Sequence, residues 1–406
     1  MRNRKRDIQY KILQGFYWML YGLSTAYVTV FLLHHGFSSS IIGVIVAASN
    51  LLAALGQMVV GTMVDKYEKL TWKNMIILFC LLEAICLILM MVFSSNHVIN
   101  GALFPIFSLI IYFQMPLVNS TFFYYTSRSE KLDFGSARGM GSLAYAIMST
   151  VVGMVVVSFG EQAIVPSGMV ILIGFTAIVL TMPYYHDQLD KVSDTSNEDA
   201  ENATVSPNSS FIAFAKSYPQ FMLVVLGSIF VMAFHNIVHT YLIQVMEAVG
   251  GNSATMGTAV SVEALVELPI MFGFFVLIRK FSSSTLMAIA GIGFVFKSVC
   301  FLLSSSVMAI YFTELVQLIS YALFASASVY FANDMMEDYD RVKGQGYMTA
   351  SIAIGGVVGN FLGGFIYDGA GIHALLLSCV GFAVAGALCI LAGTLSRGKR
   401  KPSLNS

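Results

Sequence analysis

Residues 36–66 read GFSSSIIGVIVAASNLLAALGQMVVGTMVDK, and the rest of the chain repeats the pattern of this stretch. It begins with a turn, GFSS, that contains no lysine or arginine. The apolar segment that follows is long enough for a helix to cross the bilayer core, which takes about 20 residues. The stretch ends at Asp65 and Lys66, where a basic cluster begins. This pattern indicates one membrane-spanning helix whose basic end lies in the cytoplasm.

Positive charge alternates with uncharged turns along the whole chain. The basic clusters lie at residues 2–11, 66–73, 128–138, 191–216, 279–280, 341–343 and 397–401. The turns between them lie at residues 36–39, 94–97, 160–162, 249–252, 304–306 and 368–371. Because lysine and arginine stay on the cytoplasmic side, six outward and return crossings predict about twelve spans. We therefore expect a multi-pass protein of the cytoplasmic membrane with both termini in the cytoplasm. Of the 22 lysines and arginines, Lys297 alone falls inside a predicted span.

Composition agrees with a membrane protein. Hydrophobic residues make up 57% of the 406 residues and charged residues only 11%, whereas about a quarter is usual in soluble domains. About twelve helices of ~20 residues leave little chain for soluble domains. All five cysteines fall in predicted spans, so we expect no disulfide framework. The first apolar stretch is too long for a signal-peptide core, and we interpret it as a retained span.

One change in composition divides the chain. Residues 186–210, HDQLDKVSDTSNEDAENATVSPNSS, are polar and acidic, which is typical of a flexible linker. The expected organisation is an N-terminal six-helix bundle (1–185), this cytoplasmic linker, a C-terminal six-helix bundle (211–396) and a basic cytoplasmic tail (397–406).

The two halves repeat one another. The segment 36–43, GFSSSIIG, matches 250–257, GGNSATMG, and a second match joins the VVG of residues 151–153 to that of residues 357–359. Parallel repeats related by an axis along the membrane normal occur in transporters that bind substrate between the two halves. The sequence therefore predicts an all-α membrane protein built from two pseudo-symmetric six-helix bundles.

Over nearly its whole length the chain resembles the major facilitator superfamily. Gly61, Asp65 and Lys66 are similar to the glycine, aspartate and basic residue of that superfamily's loop motif between spans two and three, although the later glycine of the motif is absent. The resemblance implies that these three residues take part in gating, and that the protein is a transporter rather than an enzyme.

A closer resemblance is to the lactose permease branch, the oligosaccharide–proton symporters. Residues 134–145, FGSARGMGSLAY, are similar to the segment that carries a sugar-binding arginine and, seven residues later, a stacking tryptophan. The resemblance implies that Arg138 and Tyr145 bind substrate. Lys297 matches a functional arginine of span nine. By charge placement alone, Arg138 is another cytoplasmic anchor, and only the resemblance makes it a substrate ligand.

Several positions depart from that branch. Its acidic sugar ligand in span four corresponds to Ser120, and its lysine, histidine and glutamate of span ten correspond to Glu314, Gln317 and Ser320. The proton site of the permease is therefore not preserved, and lactose is not the expected substrate.

Ionisable residues inside the membrane are costly and mark functional sites by default. The candidates for proton coupling are Glu83, Glu263, Glu267, Lys297 and Glu314. With a rise of 1.5 Å per residue, Lys297 lies roughly 20 Å from the cytoplasmic end of span nine and Glu314 roughly 12 Å from the external end of span ten. We expect these two residues to form an ion pair, with a purely structural bridge as the alternative.

Glu263 and Glu267 are four residues apart and share one helix face. Two carboxyl groups so close in a low dielectric cannot both ionise at small cost, so one should hold a proton that it can exchange. The alternative is a carboxyl that only bonds to a neighbouring helix. Glu83 could equally be a protonated packing residue.

The remaining substrate candidates are polar groups within spans: Asn119, His235 and Gln317. Such groups can bind a solute, or they can hydrogen-bond two helices together. His235 and His239 are four residues apart, a spacing that can ligate a metal, but no third ligand is evident and we expect no metal site. Aromatic residues of span one offer stacking surface to a cavity or pack against other helices.

We expect a secondary active transporter that couples protons to the symport of a small polar solute: a sugar, a glycoside or a nucleoside. The alternatives are proton-driven efflux of amphipathic compounds and, more remotely, a non-transporting membrane receptor. No cofactor, metal or nucleic acid is expected. The expected partners are the solute, the proton and the lipid bilayer, and the chain is expected to work as a monomer.

Overall fold

The computed structural model describes residues 2–66, 71–185 and 210–395. Every regular element within these ranges is a helix. Helices are expected because, in the absence of water, each backbone N–H and C=O group must find its hydrogen-bond partner inside the segment.

The N-terminal half contributes seven α-helices to the described chain. They are α1 (Arg2–Ala26), α2 (Val28–His34), α3 (Ser39–Lys66), α4 (Trp72–Val92), α5 (His97–Thr126), α6 (Phe134–Phe159) and α7 (Ile164–Thr181).

The C-terminal half contributes eight α-helices within the described residues. They are α8 (Phe211–Ser217), α9 (Pro219–Thr240), α10 (Leu242–Ala248), α11 (Ser253–Lys280), α12 (Ser283–Leu303), α13 (Val307–Leu315), α14 (Tyr321–Met335) and α15 (Arg341–Leu395).

These helices form a multi-pass membrane protein. Ten helical segments are long and apolar enough to cross a membrane, and the bent pair α1/α2 raises the number to eleven. Helix α15 has 55 residues, or roughly 80 Å of helix against a hydrocarbon core of about 30 Å. At Gly371, φ is +78° and ψ is −175°, and this breaks α15 in the predicted turn at 368–371. Because α15 therefore supplies two crossings, the prediction of about twelve spans is confirmed.

The predicted linker, apart from Ser210, and the predicted basic tail lie outside the described residues. The division of the chain into the four predicted segments therefore stays a prediction.

Side-chain caps fix where several of the helices begin. The Asn252 side chain accepts hydrogen bonds from the backbone of Ala254 and Thr255, and the Thr255 side chain accepts one from the Asn252 backbone, which forms a capping box at the start of α11. At the start of α6, the Asp133 carboxylate accepts a hydrogen bond from the Ser136 N–H at 3.2 Å. The hydrogen bonds from Ser136 lower the pKa of Asp133 below its usual value.

The halves meet closely at the ends of the helices that adjoin the turns at 36–39 and 249–252, which we call the turn ends. The Tyr27 hydroxyl donates to the Ser149 carbonyl, and both groups lie against Gly257 of the other half. The Tyr241 hydroxyl donates to the Asn360 carbonyl at 2.8 Å, and both lie against Gly43 of the opposite half. A Cβ atom at either glycine would collide with both groups.

These two contacts obey the internal repeat. Tyr27 precedes Gly43 by as many residues as Tyr241 precedes Gly257, so one arrangement is built twice with the halves exchanged. The VVG match has the wrong register, however. Gly153 packs on the Ser253 carbonyl and Gly364 on the Ser39 carbonyl, so the contacts pair Gly153 with Gly364 rather than with Gly359.

Hydrogen bonds between the halves reinforce the closure. The Asp368 carboxylate of α15 accepts from the backbone N–H groups of Ser39 (3.2 Å) and Ser40 (2.7 Å), the first residues of α3. A carboxylate at this position also interacts favourably with the dipole of α3. The Thr29 hydroxyl donates to the Thr240 carbonyl at 2.5 Å.

The opposite ends of the helices, which carry Lys66 and Arg279, are called the basic ends here. Near them, α3 exposes Leu55 and Met58, and α15 exposes Val342. The two halves also touch at this end, where Phe272 of α11 lies against Gly139 of α6. A cavity begins beneath the turn-end closure and extends toward the basic ends.

We predict that Gly257→Val opens the turn ends. The added side chain must displace the Ser149 carbonyl or the Tyr27 hydroxyl, and such overpacking costs roughly 1–3 kcal/mol in the closed arrangement. Spin labels at Ser38 and Gly369, in a background without the native cysteines, should move apart.

Gly273→Val is the matched control, because Gly273 lies in the same helix and a Cβ there meets nothing within 4 Å. An unchanged distance distribution in Gly257→Val would show that the glycine contact does not hold the closure.

Candidate functional site

A cavity of about 550 Å³ lies between the two halves. Helices of both halves line it, as expected if substrate binds at the interface of the repeats. Its polar and aromatic lining includes Trp18, Tyr21, Asn50, Gln57, Tyr112, Arg138, Ser142, Tyr145, His235, Asn236, His239, Glu263, Glu267, Tyr321 and Asn360.

Arg138 is the basic residue of this lining. Its guanidinium stacks over the Trp18 ring, with 3.8 Å from Cζ to the ring centroid, and donates to the Ser142 hydroxyl at 2.8 Å. The Trp18 indole N–H in turn donates to the Gln14 side chain at 3.1 Å. Stacking and hydrogen bonding together fix the guanidinium plane, and its remaining donors can meet a ligand in the cavity. The structure therefore places Arg138 on the cavity wall, as a substrate ligand requires.

Aromatic and imidazole groups from both halves form another part of the wall. The Tyr145 hydroxyl and His239 Nε2 lie 3.3 Å apart, a hydrogen bond between the two halves. The His235 ring stacks on Tyr321, with centroids 4.3 Å apart and planes 9° apart. Tyr145 and His235, both predicted substrate ligands, thus line the cavity, and His235 Nδ1 also lies 4.0 Å from Glu263 Oε1.

Next to the cavity lies a buried ion cluster. Lys297 Nζ is 2.7 Å from Glu314 Oε2 and 3.6 Å from Glu263 Oε1. Lys297 is only 2% exposed and Glu314 only 1%. The predicted pair of Lys297 and Glu314 is confirmed, and Glu263 joins it.

Gln317 extends this cluster to a second cavity carboxyl. Lys297 Nζ donates to Gln317 Oε1 at 2.6 Å, and Gln317 Nε2 donates to Glu267 Oε1 at 2.9 Å. The amide therefore has its acceptor toward the lysine and its donor toward the glutamate. Glu263 and Glu267 both lie on the cavity wall, whereas Lys297, Glu314 and Gln317 lie behind it.

A break in span ten positions these groups. Helix α13 ends at Leu315, a 3₁₀ turn covers Val316–Leu318, and α14 begins at Tyr321. Ser320, with φ −101° and ψ −98°, is not helical. Interrupted helices inside the bilayer are found where backbone is buried in protein or lines a cavity. Glu314, Gln317 and Tyr321 come from just before, within and just after this break.

The cluster holds three carboxyl groups and one ammonium. Lys297 and the nearby Arg138, which interacts electrostatically with Glu267, are two cations against three carboxyl groups, so the arrangement favours at least one protonated carboxyl. Glu267, half-buried and on the wall, can exchange a proton with water in the cavity. The arrangement can therefore bind and release protons.

Two predicted substrate ligands lie elsewhere than expected. Gln317 is fully buried and its amide is used by Lys297 and Glu267, so it cannot meet a solute directly. The Asn119 side chain accepts a weak hydrogen bond from Gln14 at 3.4 Å and is not part of the cavity wall. Neither side chain lines the cavity.

The remaining predictions concern Glu83, the loop motif at the end of α3, and metal binding. Glu83 lies away from the cavity, bonded to Gln114. Gly61 and Lys66 lie in the last turns of α3, but the Asp65 side chain lies outside the described residues, so its gating role stays a prediction. No group of three or more potential metal ligands occurs in the described part of the chain.

The sequence analysis missed several residues of the wall, and Trp18 and Tyr321 are the two that contact predicted ligands. Trp18 is one of the aromatic residues of span one, whose pattern does not single it out, and no pattern in the sequence points to Tyr321. Tyr321 follows the interrupted stretch at 316–320, so helical spacing from Gln317 does not predict its position.

The sequence model of the MFS_1 like family matches residues 8–377. A comparison with curated protein sequences gives no match.

The chain is similar in fold to solved transporter structures. The nucleoside transporter NupG is 16% identical, with a TM-score of 0.75 over 97% of this chain and 99% of that chain. A D-xylose-proton symporter is 14% identical, with a TM-score of 0.66 over 95% and 96%. A bacterial homolog of the human lysosomal transporter Spinster, in an inward-facing conformation, is 13% identical, with a TM-score of 0.65 over 97% and 96%. At these identities the likeness describes the fold alone.

We predict that Lys297→Ala destabilises the protein strongly. Removing the ammonium leaves Glu263 and Glu314 buried without a positive partner, and breaking a buried pair costs roughly 3–5 kcal/mol. The double variant Lys297→Ala/Glu314→Ala should recover part of this loss. Denaturation of the purified protein in detergent measures both changes.

Lys280→Ala, at the exposed end of α11, is the control and should change stability little. If the double variant is no more stable than Lys297→Ala, then Lys297 and Glu314 do not stabilise one another.

Proposed function

Because this chain belongs to the MFS_1 like family, we propose that it is a secondary active transporter that couples protons to the symport of a small polar solute. The observation that carries the proposal is the ion cluster of Glu263, Glu267, Lys297 and Glu314, directly beside a cavity between two repeated halves.

Proton coupling requires a carboxyl that gains and loses a proton as access to it alternates. Glu267 is the best candidate, because it lies on the cavity wall and Gln317 joins it to Lys297. Glu263 shares the wall and contacts Lys297 directly. When either carboxyl takes up a proton, Lys297 has one charged partner fewer, so the lysine is drawn more strongly toward Glu314. Protonation and the packing of span ten are in this way linked.

The solute site that we propose is built around Arg138 and Tyr145. A fixed guanidinium suits hydroxyl or carboxylate oxygens, and the surrounding aromatic rings suit a sugar or base ring. The cavity volume of about 550 Å³ is in the range of small-molecule sites. The fold is shared with a nucleoside transporter and a D-xylose-proton symporter, so it is compatible with solutes of these classes.

The turn ends are proposed to face outward and the basic ends inward, since positive charge stays in the cytoplasm. Both termini and the linker would then be cytoplasmic, in the cell membrane. In that orientation the closed turn ends would lie outside and the cavity would extend toward the cytoplasm, which would be an inward-facing state. The two tyrosine–glycine contacts would separate when the halves rock to the opposite state.

We predict that Glu263→Gln/Glu267→Gln abolishes uphill accumulation but retains downhill counterflow. Neutral amides keep the shape of the wall but cannot carry a proton between the two sides. Both activities can be measured in proteoliposomes with a solute identified by a thermal-shift screen of sugars, glycosides and nucleosides. Glu247→Gln, on an exposed side chain in the last turn of α10, serves as the control.

Full accumulation by the double variant would mean that protons travel through other groups. Counterflow together with proton movement opposite to the solute would identify efflux instead of symport.

We predict that Arg138→Ala abolishes solute binding, because the cavity loses its fixed donor fork. Arg138→Lys, which keeps the charge but not the fork, should bind at least tenfold more weakly, or about 1.4 kcal/mol. Isothermal titration calorimetry with the same solute measures both.

Arg128→Ala is a matched control. The Arg128 guanidinium also stacks on an aromatic ring, 3.9 Å over Tyr124, but outside the cavity. Wild-type affinity in Arg138→Ala would exclude Arg138 from the substrate site.

A further inference from the structure

Glu83 of α4 is a buried carboxyl that the coupling cluster does not use. Its Oε1 atom accepts a hydrogen bond from Gln114 Nε2 of α5 at 2.6 Å. Both residues are fully buried, and neither lines the cavity. Glu83 therefore has no contact with cavity water through which it could exchange protons.

The pair leaves two atoms without partners. Glu83 Oε2 and Gln114 Oε1 are both buried, and neither has a hydrogen bond within the described structure. One of these oxygens lies on Glu83 and the other on Gln114, which are the two side chains that the hydrogen bond already joins. An unsatisfied buried acceptor is costly, and two such acceptors on paired groups need one donor between them.

A proton on Glu83 would supply that donor. A carboxylic acid has one O–H donor and one C=O acceptor, and a primary amide has the matching C=O acceptor and N–H donor. Protonated Glu83 can thus accept from Gln114 Nε2 through Oε1 and donate to Gln114 Oε1 through Oε2, which closes a ring of two hydrogen bonds. An ionised Glu83 would instead be a buried charge, and the described residues form no ion pair with it.

We propose that Glu83 is a permanently protonated carboxyl that forms a two-hydrogen-bond ring with Gln114 and takes no part in proton coupling. The ring ties α4 to α5 two residues from Tyr112, whose ring lies 5.5 Å from that of Tyr21 on the cavity wall. Glu83 is in this sense a positioning residue for the aromatic wall. The positioning role of Glu83 rests on the proposed function, whereas its protonation state does not.

Infrared spectroscopy tests the protonation state without any substrate. The wild-type protein should show a protonated-carboxyl C=O band that persists from about pH 5 to about pH 9, where an exposed carboxyl is ionised. Glu83→Gln should lack this pH-independent component, whereas any protonated carboxyl of the ion cluster remains visible in both proteins. If Glu83→Gln instead removes a carboxylate band at neutral pH, the proposal is overturned.

Variants test the ring itself. Glu83→Gln retains one donor and one acceptor, so the ring with Gln114 persists and the melting temperature should not change. Glu83→Leu and Gln114→Leu remove it and should lower the melting temperature by roughly 2–4 °C or more. Equal losses in Glu83→Gln and Glu83→Leu would contradict the ring.

Transport separates this proposal from proton coupling by Glu83. Glu83→Gln should retain uphill accumulation, which Glu263→Gln/Glu267→Gln loses. Loss of accumulation with intact counterflow in Glu83→Gln would show that Glu83 moves protons. If the wild-type protein shows no proton-coupled transport, the proposed function fails while the infrared and stability results still decide the state of Glu83.

Discussion

The structure depends most on one lysine ammonium that is held inside the membrane among three carboxyl groups. Lys297 is too deep to be hydrated, and it is stable there only because Glu314 and Glu263 lie within ion-pair distance and Gln317 accepts its hydrogen bond. The carboxyl groups outnumber the lysine, so the cluster cannot be fully ionised at low cost. A site that must hold a proton, beside a cavity that can deliver one, is the physical basis of the proposed coupling.

The two halves share a closure but differ in their chemistry. Tyr27 with Gly257 and Tyr241 with Gly43 are equivalent contacts, and their symmetry is suited to halves that rock about a common axis. Behind the cavity, the C-terminal half has the ion cluster, whereas the N-terminal half has the neutral pair of Glu83 and Gln114. The repeat thus gives the two halves the same helix arrangement, and the buried polar groups of each half give that half a different role.

Much of the fold could be predicted because it follows from long-range patterns of charge and hydropathy. The span number, the repeat at Gly43 and Gly257 and the pair of Lys297 and Glu314 depend on helix length, side preference and depth, all of which the sequence contains. The position of Gln317 could not be predicted, since it depends on the non-helical turn at 316–320, which neither proline nor glycine marks. Likewise, the support of Arg138 by Trp18 depends on how α1 packs against α6, which local spacing does not determine.

The most direct test of the account is proton movement in proteoliposomes when the solute alone is driven inward. With an internal pH-sensitive dye and no imposed proton gradient, the account predicts internal acidification that depends on the solute and stops when a protonophore collapses the pH difference. Solute entry without any change in internal pH would contradict the central claim that the buried cluster couples protons to transport.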